Sequence, residues 1–382
     1  MQRRWVTVLA AALLASGASA ATSEGAPRAR DLGIVLAGQP GPLNAITDVS
    51  GVQVGHVSLL EGETRTGVTA ILPLGPDELA GVPAGVAVFN GTGELTGAHL
   101  IREFGTLFGP ILLTGTLGVG TARDGALLWS RDRISDPIQR ASRMLPVVAE
   151  TDDSGLSDAW RLPLTRADVL QALEGARPGP LQEGSVGGGT GMVCYQFKCG
   201  IGTASREVTT GIGEPAMVGV LVQANFGRRD QLTVAGVPVG RSLTDDMPRH
   251  AQPASGLADG DGSLVVIIAS NAPLLPTQLE RLARRATIGM ARTGTFGTAT
   301  SGDIFLAFST ATSVPFATGE LSQHAALPNE MLDPLLAAAA QATEEAILNA
   351  LVAGEDMDGR GGSKVFGLPH ERLQQLLRQS KE

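Results

Sequence analysis

The sequence predicts a layered α/β fold. Several apolar runs are short and apolar throughout, which is typical of strands that are covered on both faces. Longer stretches with helical periodicity are mixed with these strands along the chain. Glycine accounts for 50 of the 382 residues, which indicates many tight turns and close backbone contacts. A chain of this length buries a full core without disulfide bonds.

The strands are predicted from apolar runs that glycine and polar residues interrupt. They are expected at residues 82–89, 111–113, 216–224, 263–269 and 304–309.

The helices are predicted from apolar residues that recur on one face, with capping residues before them. They are expected at residues 165–174, capped by Thr165, at 277–292, capped by Thr277, and at 329–353. Residues 243–262 are rich in Asp, Pro, Ser and Gly and lack periodicity, which predicts an exposed linker that ends where the strand from Ser263 begins.

The first twenty residues are predicted to be a signal peptide. Arg3 and Arg4 precede a short apolar run, and residues 18–20 form a small-residue cleavage site after Ala20. The run is too short to span a bilayer, although an uncleaved membrane anchor is the alternative. The mature chain is therefore expected to be periplasmic or secreted and to have no membrane contact.

Charge and composition exclude one class of partner. The net charge of −9, with only 4% aromatic residues, argues against nucleic acid, which calls for a basic face or aromatic stacking. Export would allow Cys194 and Cys199 to form a disulfide, but free cysteines in the core are slightly favoured. A metal site is not expected, because the five histidines are scattered.

The junction between Gly262 and Ser263 is the first candidate for chemistry. A serine at the start of a buried strand, directly after a linker, is usually a simple turn residue. The alternative is a precursor that cuts itself before Ser263, for which Gly262 suits a strained scissile unit. The new α-amino group would then act as the base beside its own hydroxyl, so no histidine is needed.

A second polar cluster, Ser301 and Asp303, precedes the strand at 304–309. In isolation it resembles a turn. If it faces Ser263, Ser301 could hydrogen-bond the nucleophile or its amine, and Asp303 could hold the charge of the network.

The motifs together resemble the β-aminopeptidase and L-aminopeptidase/D-esterase family of self-processing N-terminal-nucleophile hydrolases. The resemblance covers nearly the whole mature chain in order, and single motifs are weaker than the set. The matching segments are residues 66–70, 90–97, 184–192, 200–206, 218–227, 262–266, 272–279, 281–286 and 301–310.

The resemblance implies a role for each candidate residue. Ser263 would be the nucleophile, supported by Ser301 and Asp303. Asn225 would donate to the oxyanion and Glu150 would bind the amino terminus of the substrate, although a strand-end turn and a solvated surface position are their structural alternatives. Lys198 matches more loosely, as a group that tunes the electrostatics.

One position departs from the family pattern. Many relatives have a Tyr, a second oxyanion donor, where this chain has Asp152. An ionised Asp cannot donate a hydrogen bond and would repel an oxyanion. Either another donor replaces the Tyr or the preferred substrate differs.

The resemblance implies a four-layer αββα sandwich with the DmpA/ornithine-acetyltransferase-like fold, cut into fragments 21–262 and 263–382 that stay packed as one catalytic domain. No cofactor is expected, and the enzyme is expected to form an oligomer of α/β heterodimers. It would be an aminopeptidase for short peptides, amides or esters. The alternatives are an oligoamide endo-hydrolase, an amine acyltransferase and a non-enzymatic binding protein.

Overall fold

Two stacked β-sheets form the centre of the protein. The computed structural model describes residues 26–78, 80–134, 145–211, 215–249, 262–315 and 323–380. The strands of these ranges are β1 (Gln53–Leu59), β2 (Thr66–Leu72), β3 (Gly81–Gly91), β4 (Thr106–Phe108), β5 (Ile111–Gly115), β6 (Val147–Thr151), β7 (Val193–Cys194), β8 (Phe197–Lys198), β9 (Ile201–Val208), β10 (Ala216–Asn225), β11 (Ser263–Ser270), β12 (Gly302–Ser309), β13 (Met357–Asp358) and β14 (Lys364–Val365). The helices are α1 (Ala98–Phe104), α2 (Val119–Arg133), α3 (Arg166–Glu174), α4 (Pro276–Ala283), α5 (Ala286–Arg292), α6 (Asp333–Val352) and α7 (His370–Gln379).

The larger sheet contains six strands in the order β4-β3-β12-β11-β10-β9, and the smaller contains four in the order β1-β2-β5-β6. Most neighbours are antiparallel, but β11 and β12 run parallel, as do β5 and β6. The two parallel partners β11 and β12 therefore begin at the same edge of the large sheet, which brings their first residues together.

Three apolar layers hold these elements together, and alternation along the strands separates them. On β11, Val265 and Ile267 belong to the core between the two sheets, whereas Leu264 and Val266 belong to the core beneath α4, α5 and α6. A third core packs the small sheet against α2 and α3. This arrangement is the predicted four-layer αββα sandwich, and burial on both faces explains why the strand beginning at Ser263 is apolar throughout.

The predicted strands and the first predicted helix are confirmed, with small differences at their ends. Thr165 caps α3 as expected: its Oγ1 accepts a hydrogen bond from the Asp168 N–H, and Asp168 reciprocates at the Thr165 N–H.

The second predicted helix is wrong in two respects. It is two helices, α4 and α5, because the chain tightens at Arg285, whose N–H donates to Leu282 three residues earlier. This turn lets α5 pack closely on α6, where a Cβ at Gly289 would lie 2.6 Å from the Ala340 oxygen. Thr277 is not the N-cap, because the helix already begins at Pro276 with Leu275 in the N-cap position. Proline suits the first helical position, where it has no N–H that would need a partner.

The third predicted helix, at 329–353, is α6 preceded by a short 3-10 turn at Asn329–Met331. By length and composition α6 could cross a membrane, but 83% of its most apolar window is buried inside the fold, as in a core helix. The predicted signal peptide and most of the predicted linker, residues 250–261, lie outside the described residues.

Candidate active site

The candidate residues meet where β10, β11 and β12 reach one edge of the large sheet. Asn225, the last residue of β10, is paired with Ser263, the first residue of β11. On the other side Ser263 is paired with Gly302, the first residue of β12, which stands between Ser301 and Asp303. Sheet register thus joins three groups that are far apart in sequence.

A single backbone N–H contacts both reacting groups of the predicted cleavage site. The Gly302 N–H lies 3.2 Å from Ser263 Oγ and 3.2 Å from the carbonyl oxygen of Gly262. Ser263 is buried, with 8% of its surface exposed. A donor shared by a hydroxyl and the neighbouring carbonyl is suited to stabilising negative charge on that carbonyl oxygen.

Two glycines permit this close approach. A Cβ at Gly262 would lie 1.8 Å from the Asn225 carbonyl oxygen, and one at Gly302 would lie 2.2 Å from the Thr92 carbonyl oxygen. Neither position has room for a side chain while the strands keep this register. Gly262 therefore has a steric reason to be glycine that is independent of the linker before it.

Ser301 and Asp303 form one buried hydrogen-bonded group. Ser301 Oγ donates to Asp303 Oδ1 at 2.7 Å, and Asn90 Nδ2 donates to Asp303 Oδ2 at 2.9 Å. Burial raises the pKa of Asp303, while the hydrogen bonds from Ser301 and Asn90 act to lower it. In the uncut chain Ser263 has a peptide N–H and no free amine, and Ser301 is hydrogen-bonded to Asp303.

The Asn225 side chain is fixed on two sides. Its Oδ1 accepts a hydrogen bond from the Val193 N–H at 2.8 Å, and its Nδ2 donates to the Asp152 carbonyl oxygen at 2.9 Å. An amide nitrogen has two hydrogens, so the second remains for another acceptor.

Asp152 uses its side chain for a local turn. Its carboxylate accepts from the Ser154 N–H at 2.9 Å and from Ser154 Oγ at 2.8 Å, and the residue is exposed. Asp152 therefore contributes its backbone carbonyl to holding Asn225.

Glu150 is buried, so a solvated surface position is excluded. It is 5% exposed, its Oε1 accepts from the Glu94 N–H at 2.9 Å, and its Oε2 accepts from the Thr116 hydroxyl. A Cβ at Gly93 would lie 3.2 Å from Glu150 Oε1 and 3.4 Å from Gly302 Cα, so Gly93 lies between the carboxylate and the first residue of β12, the strand next to Ser263. Burial raises the pKa of Glu150, and the Asp152 carboxylate adds to this effect.

The two cysteines are bonded to each other, which corrects the slight preference for free thiols. Positive φ angles of 50° at Tyr195 and 59° at Gln196 fold the chain into a tight hairpin that brings the Cα atoms of Cys194 and Cys199 within 5.7 Å. The disulfide therefore closes the hairpin that presents Val193 to Asn225.

Lys198 lies in the same hairpin and is fully buried. Its Nζ donates to the carbonyl oxygens of Met192, at 2.9 Å, and Cys199, at 2.6 Å. Burial lowers the pKa of Lys198 to about 7. These contacts hold the Lys198 amine against the backbone of the hairpin that presents Val193 to Asn225.

Sequence reasoning assigned no role to several groups that complete the site. Asn90 holds Asp303, Thr116 holds Glu150, and Gly302 acts through its backbone. Asn90 and Gly302 both lie within segments that resemble the family, 90–97 and 301–310, and this was the signal available for them. Among the described residues no three His, Cys, Asp or Glu side chains form a metal-binding group.

Comparison with known proteins agrees with this architecture. The sequence profile of peptidase family S58 matches residues 44–365. A β-peptidyl aminopeptidase, BapA, of Sphingosinicella xenopeptidilytica is 46% identical over 99% of this chain and 98% of its own length.

Solved structures are equally similar. A Burkholderia sp. β-aminopeptidase has a TM-score of 0.84 and 45% identity, covering 92% of this chain and 99% of its own. The L-aminopeptidase D-Ala-esterase/amidase of Ochrobactrum anthropi, described as a variant of the Ntn hydrolase fold, has a TM-score of 0.85 and 45% identity, covering 93% and 99%.

The fold and the strand-end serine define an enzyme of the serine N-terminal-nucleophile aminopeptidase class. More particularly, the chain belongs to peptidase family S58. Membership of this family of enzymes sets aside the non-enzymatic alternative.

Proposed function

We propose that the protein is an exported precursor that cuts itself between Gly262 and Ser263 and then hydrolyses short substrates with a free amino terminus. The contact of the Gly302 N–H with both Ser263 Oγ and the Gly262 carbonyl oxygen carries this proposal. The fragments 21–262 and 263–382 remain packed together, because β10 and β12 flank β11 in one sheet.

Self-cleavage begins with attack of Ser263 Oγ on the Gly262 carbonyl carbon. The new O–C bond forms while the C–N bond breaks, and the proton of the hydroxyl passes to the leaving nitrogen. Negative charge develops on the Gly262 oxygen, where the Gly302 N–H already donates, and one such donor contributes about 10²–10³ in rate. Water then opens the ester and leaves a carboxylate on Gly262 and a free amine on Ser263.

Substrate hydrolysis reuses the same hydroxyl. The freed α-amino group of Ser263, with an ordinary pKa of about 7.7–8.0, accepts the proton of Oγ as it attacks the substrate carbonyl. The Ser301–Asp303–Asn90 group spans the ends of β12 and β3, beside the Ser263 strand, and orients the new ammonium. Asn225 supplies its second amide hydrogen to the oxyanion, since the first is donated to the Asp152 carbonyl oxygen.

Glu150 selects the substrate by its amino terminus. A buried carboxylate beside Gly93 forms a charge-assisted hydrogen bond with an ammonium group and disfavours an acylated terminus. The relatives are named for peptide, amide and ester substrates, which supports short peptides, amides and esters as the substrate class here. In this proposal the mature enzyme forms an oligomer of α/β heterodimers and acts in the periplasm or outside the cell.

A substrate panel tests this function. The purified enzyme is given a dipeptide amide, its N-acetyl derivative and a β-alanine-initiated analogue, with Ser263→Ala as the inactive control. The free-amine substrates should react at least about tenfold faster than the acetylated one, because loss of a charged hydrogen bond costs about 1.5–3 kcal/mol. Equal rates would indicate an oligoamide endo-hydrolase, and amide products with an added amine would indicate an acyltransferase.

A further inference from the structure

The two segments that fix the Asn225 amide are joined to each other one residue further back. Asp152 and Val193 contact the amide through their backbone. The residues immediately before them are Thr151 and Met192, and the Thr151 hydroxyl donates a hydrogen bond to Met192 Sδ at 2.8 Å. This bond closes a ring of contacts around the amide, from the end of β6 to the hairpin that contains β7 and β8.

Gln223 anchors this ring to the strand that carries Asn225. It lies two residues before Asn225 on β10, so the two side chains are on the same face of the large sheet. Its Nε2 donates to Thr151 Oγ1 and to the Thr114 carbonyl oxygen, both at 2.9 Å. Thr114 is paired with Glu150 across β5 and β6, so the Gln223 amide also braces the strand pair that carries the Glu150 carboxylate.

The contacts beneath the amide are dry and tightly packed. Thr151, Met192 and Gln223 are fully buried. A Cβ at Gly188 would lie 2.1 Å from Gln223 Oε1, an atom that is buried and has no hydrogen-bond partner within the described part of the chain. Leaving such an acceptor unsatisfied costs about 1–3 kcal/mol. Stability alone therefore does not explain this polar group, and its contact with the ring around Asn225 points to a role in the site.

We propose that Thr151, held by Gln223, is a positioning residue that aims the free amide hydrogen of Asn225 at the oxyanion of the substrate. This inference rests on the oxyanion role proposed for Asn225 and extends it to the groups that fix the direction of the amide. An oxyanion donor acts on the transition state, so a misdirected amide lowers kcat without weakening substrate binding. Self-cleavage should be spared, because the Gly262 oxygen has its own donor in the Gly302 N–H.

The test compares Thr151→Val with Thr151→Ser. Valine keeps nearly the shape of threonine and removes the hydroxyl, whereas serine keeps the hydroxyl and removes the methyl group. Both constants, kcat and KM, are measured with a dipeptide amide on protein that intact mass shows to be fully cut. Thr151→Val should lower kcat about tenfold or more and leave KM within about twofold, and Thr151→Ser should restore most of kcat. The rate of self-cleavage should change by less than about twofold in either variant.

Two further variants complete the comparison. Met192→Leu nearly keeps the volume of the side chain and removes the sulfur acceptor, so it should also lower kcat at unchanged KM, and it serves if Thr151→Val fails to fold. Thr343→Val is the matched control, because it removes another fully buried hydroxyl, which donates to the Ala339 carbonyl oxygen within α6. The control should keep kcat within about twofold.

Asn225→Ala separates failure of this inference from failure of the proposed function. It should lower kcat about 10²–10³-fold. A normal kcat in Asn225→Ala would refute the oxyanion role and the positioning role together. If Asn225→Ala is slow, three results overturn the positioning role alone: a normal kcat in Thr151→Val, a raised KM at normal kcat, which would assign Thr151 to Glu150, or equal loss of turnover and self-cleavage.

Discussion

Replacement of Gly262 by alanine isolates the geometry of self-cleavage from all later chemistry. The added Cβ would lie 1.8 Å from the Asn225 carbonyl oxygen, whereas real Cβ contacts stay beyond 3.0 Å. The junction must therefore shift by at least about 1.2 Å. Such a shift removes the Gly262 carbonyl from the Gly302 N–H, which is already 3.2 Å away. A misplacement of about 1 Å in reacting groups costs about 10²-fold in rate.

We therefore expect Gly262→Ala to cut itself about 10²-fold more slowly than the unmodified chain. Freshly refolded protein is sampled over hours to days, and the cut fraction is measured by denaturing gel and intact mass. Gly120→Ala is the matched control, because nothing lies within 4 Å of a Cβ at that position. Molecules that do cut should turn over substrate normally, since residue 262 is then a chain end. Cleavage of Gly262→Ala at the unmodified rate would refute the reasoning.

Three further changes test the remaining groups. Ser263→Cys should retain slow self-cleavage, because a thiol is also a nucleophile, and its complete absence by intact mass would contradict the assignment. Glu150→Gln should reduce turnover of free-amine substrates at least about tenfold and leave self-cleavage nearly unchanged; equal loss of both would indicate a structural role. Asp153 has a pKa of about 7 in the fold against 3.8 in the unfolded chain, with the Asp152 and Glu150 carboxylates facing it. The folded state therefore favours the protonated form, and stability falls as pH rises between these two values. The free energy of unfolding is measured by urea for the Ser263→Ala chain with and without Asp153→Asn. Between pH 5 and pH 8 the stability of the chain with Asp153→Asn relative to the chain without it should increase by about 2–3 kcal/mol. A difference in stability that does not change with pH would show that Asp153 has an ordinary pKa.

Much of the fold could be predicted, because buried strands and capped helices have recognisable patterns of apolar and polar residues in the sequence. The strand from Ser263 is apolar throughout because both of its faces are covered. Thr165, a residue type that favours the N-cap position, correctly predicts the start of the helix it caps. The break between α4 and α5 has no corresponding pattern in the sequence. It depends on how closely α5 packs against α6 at Gly289, a tertiary contact that local periodicity does not report.

The candidate site was predictable where side chains carry the chemistry. Ser263, Asn225, Ser301 and Asp303 do meet at one sheet edge, as the resemblance implied. The Gly302 N–H was missed because a backbone donor has no sequence letter of its own. The Cys194–Cys199 disulfide was missed because it depends on the left-handed turn between them, and these φ angles are unusual for non-glycine residues.

The central claim is tested most directly by the intact mass of the denatured protein after removal of residues 1–20. In proportion to their 242 and 120 residues of the 39.2 kDa chain, the fragments should weigh about 25 kDa and about 12 kDa. The account predicts these two species, with the smaller beginning at Ser263, and a single uncut chain for Ser263→Ala. A single chain that persists for days in the unmodified protein would leave Ser263 without its amine base and would contradict the account.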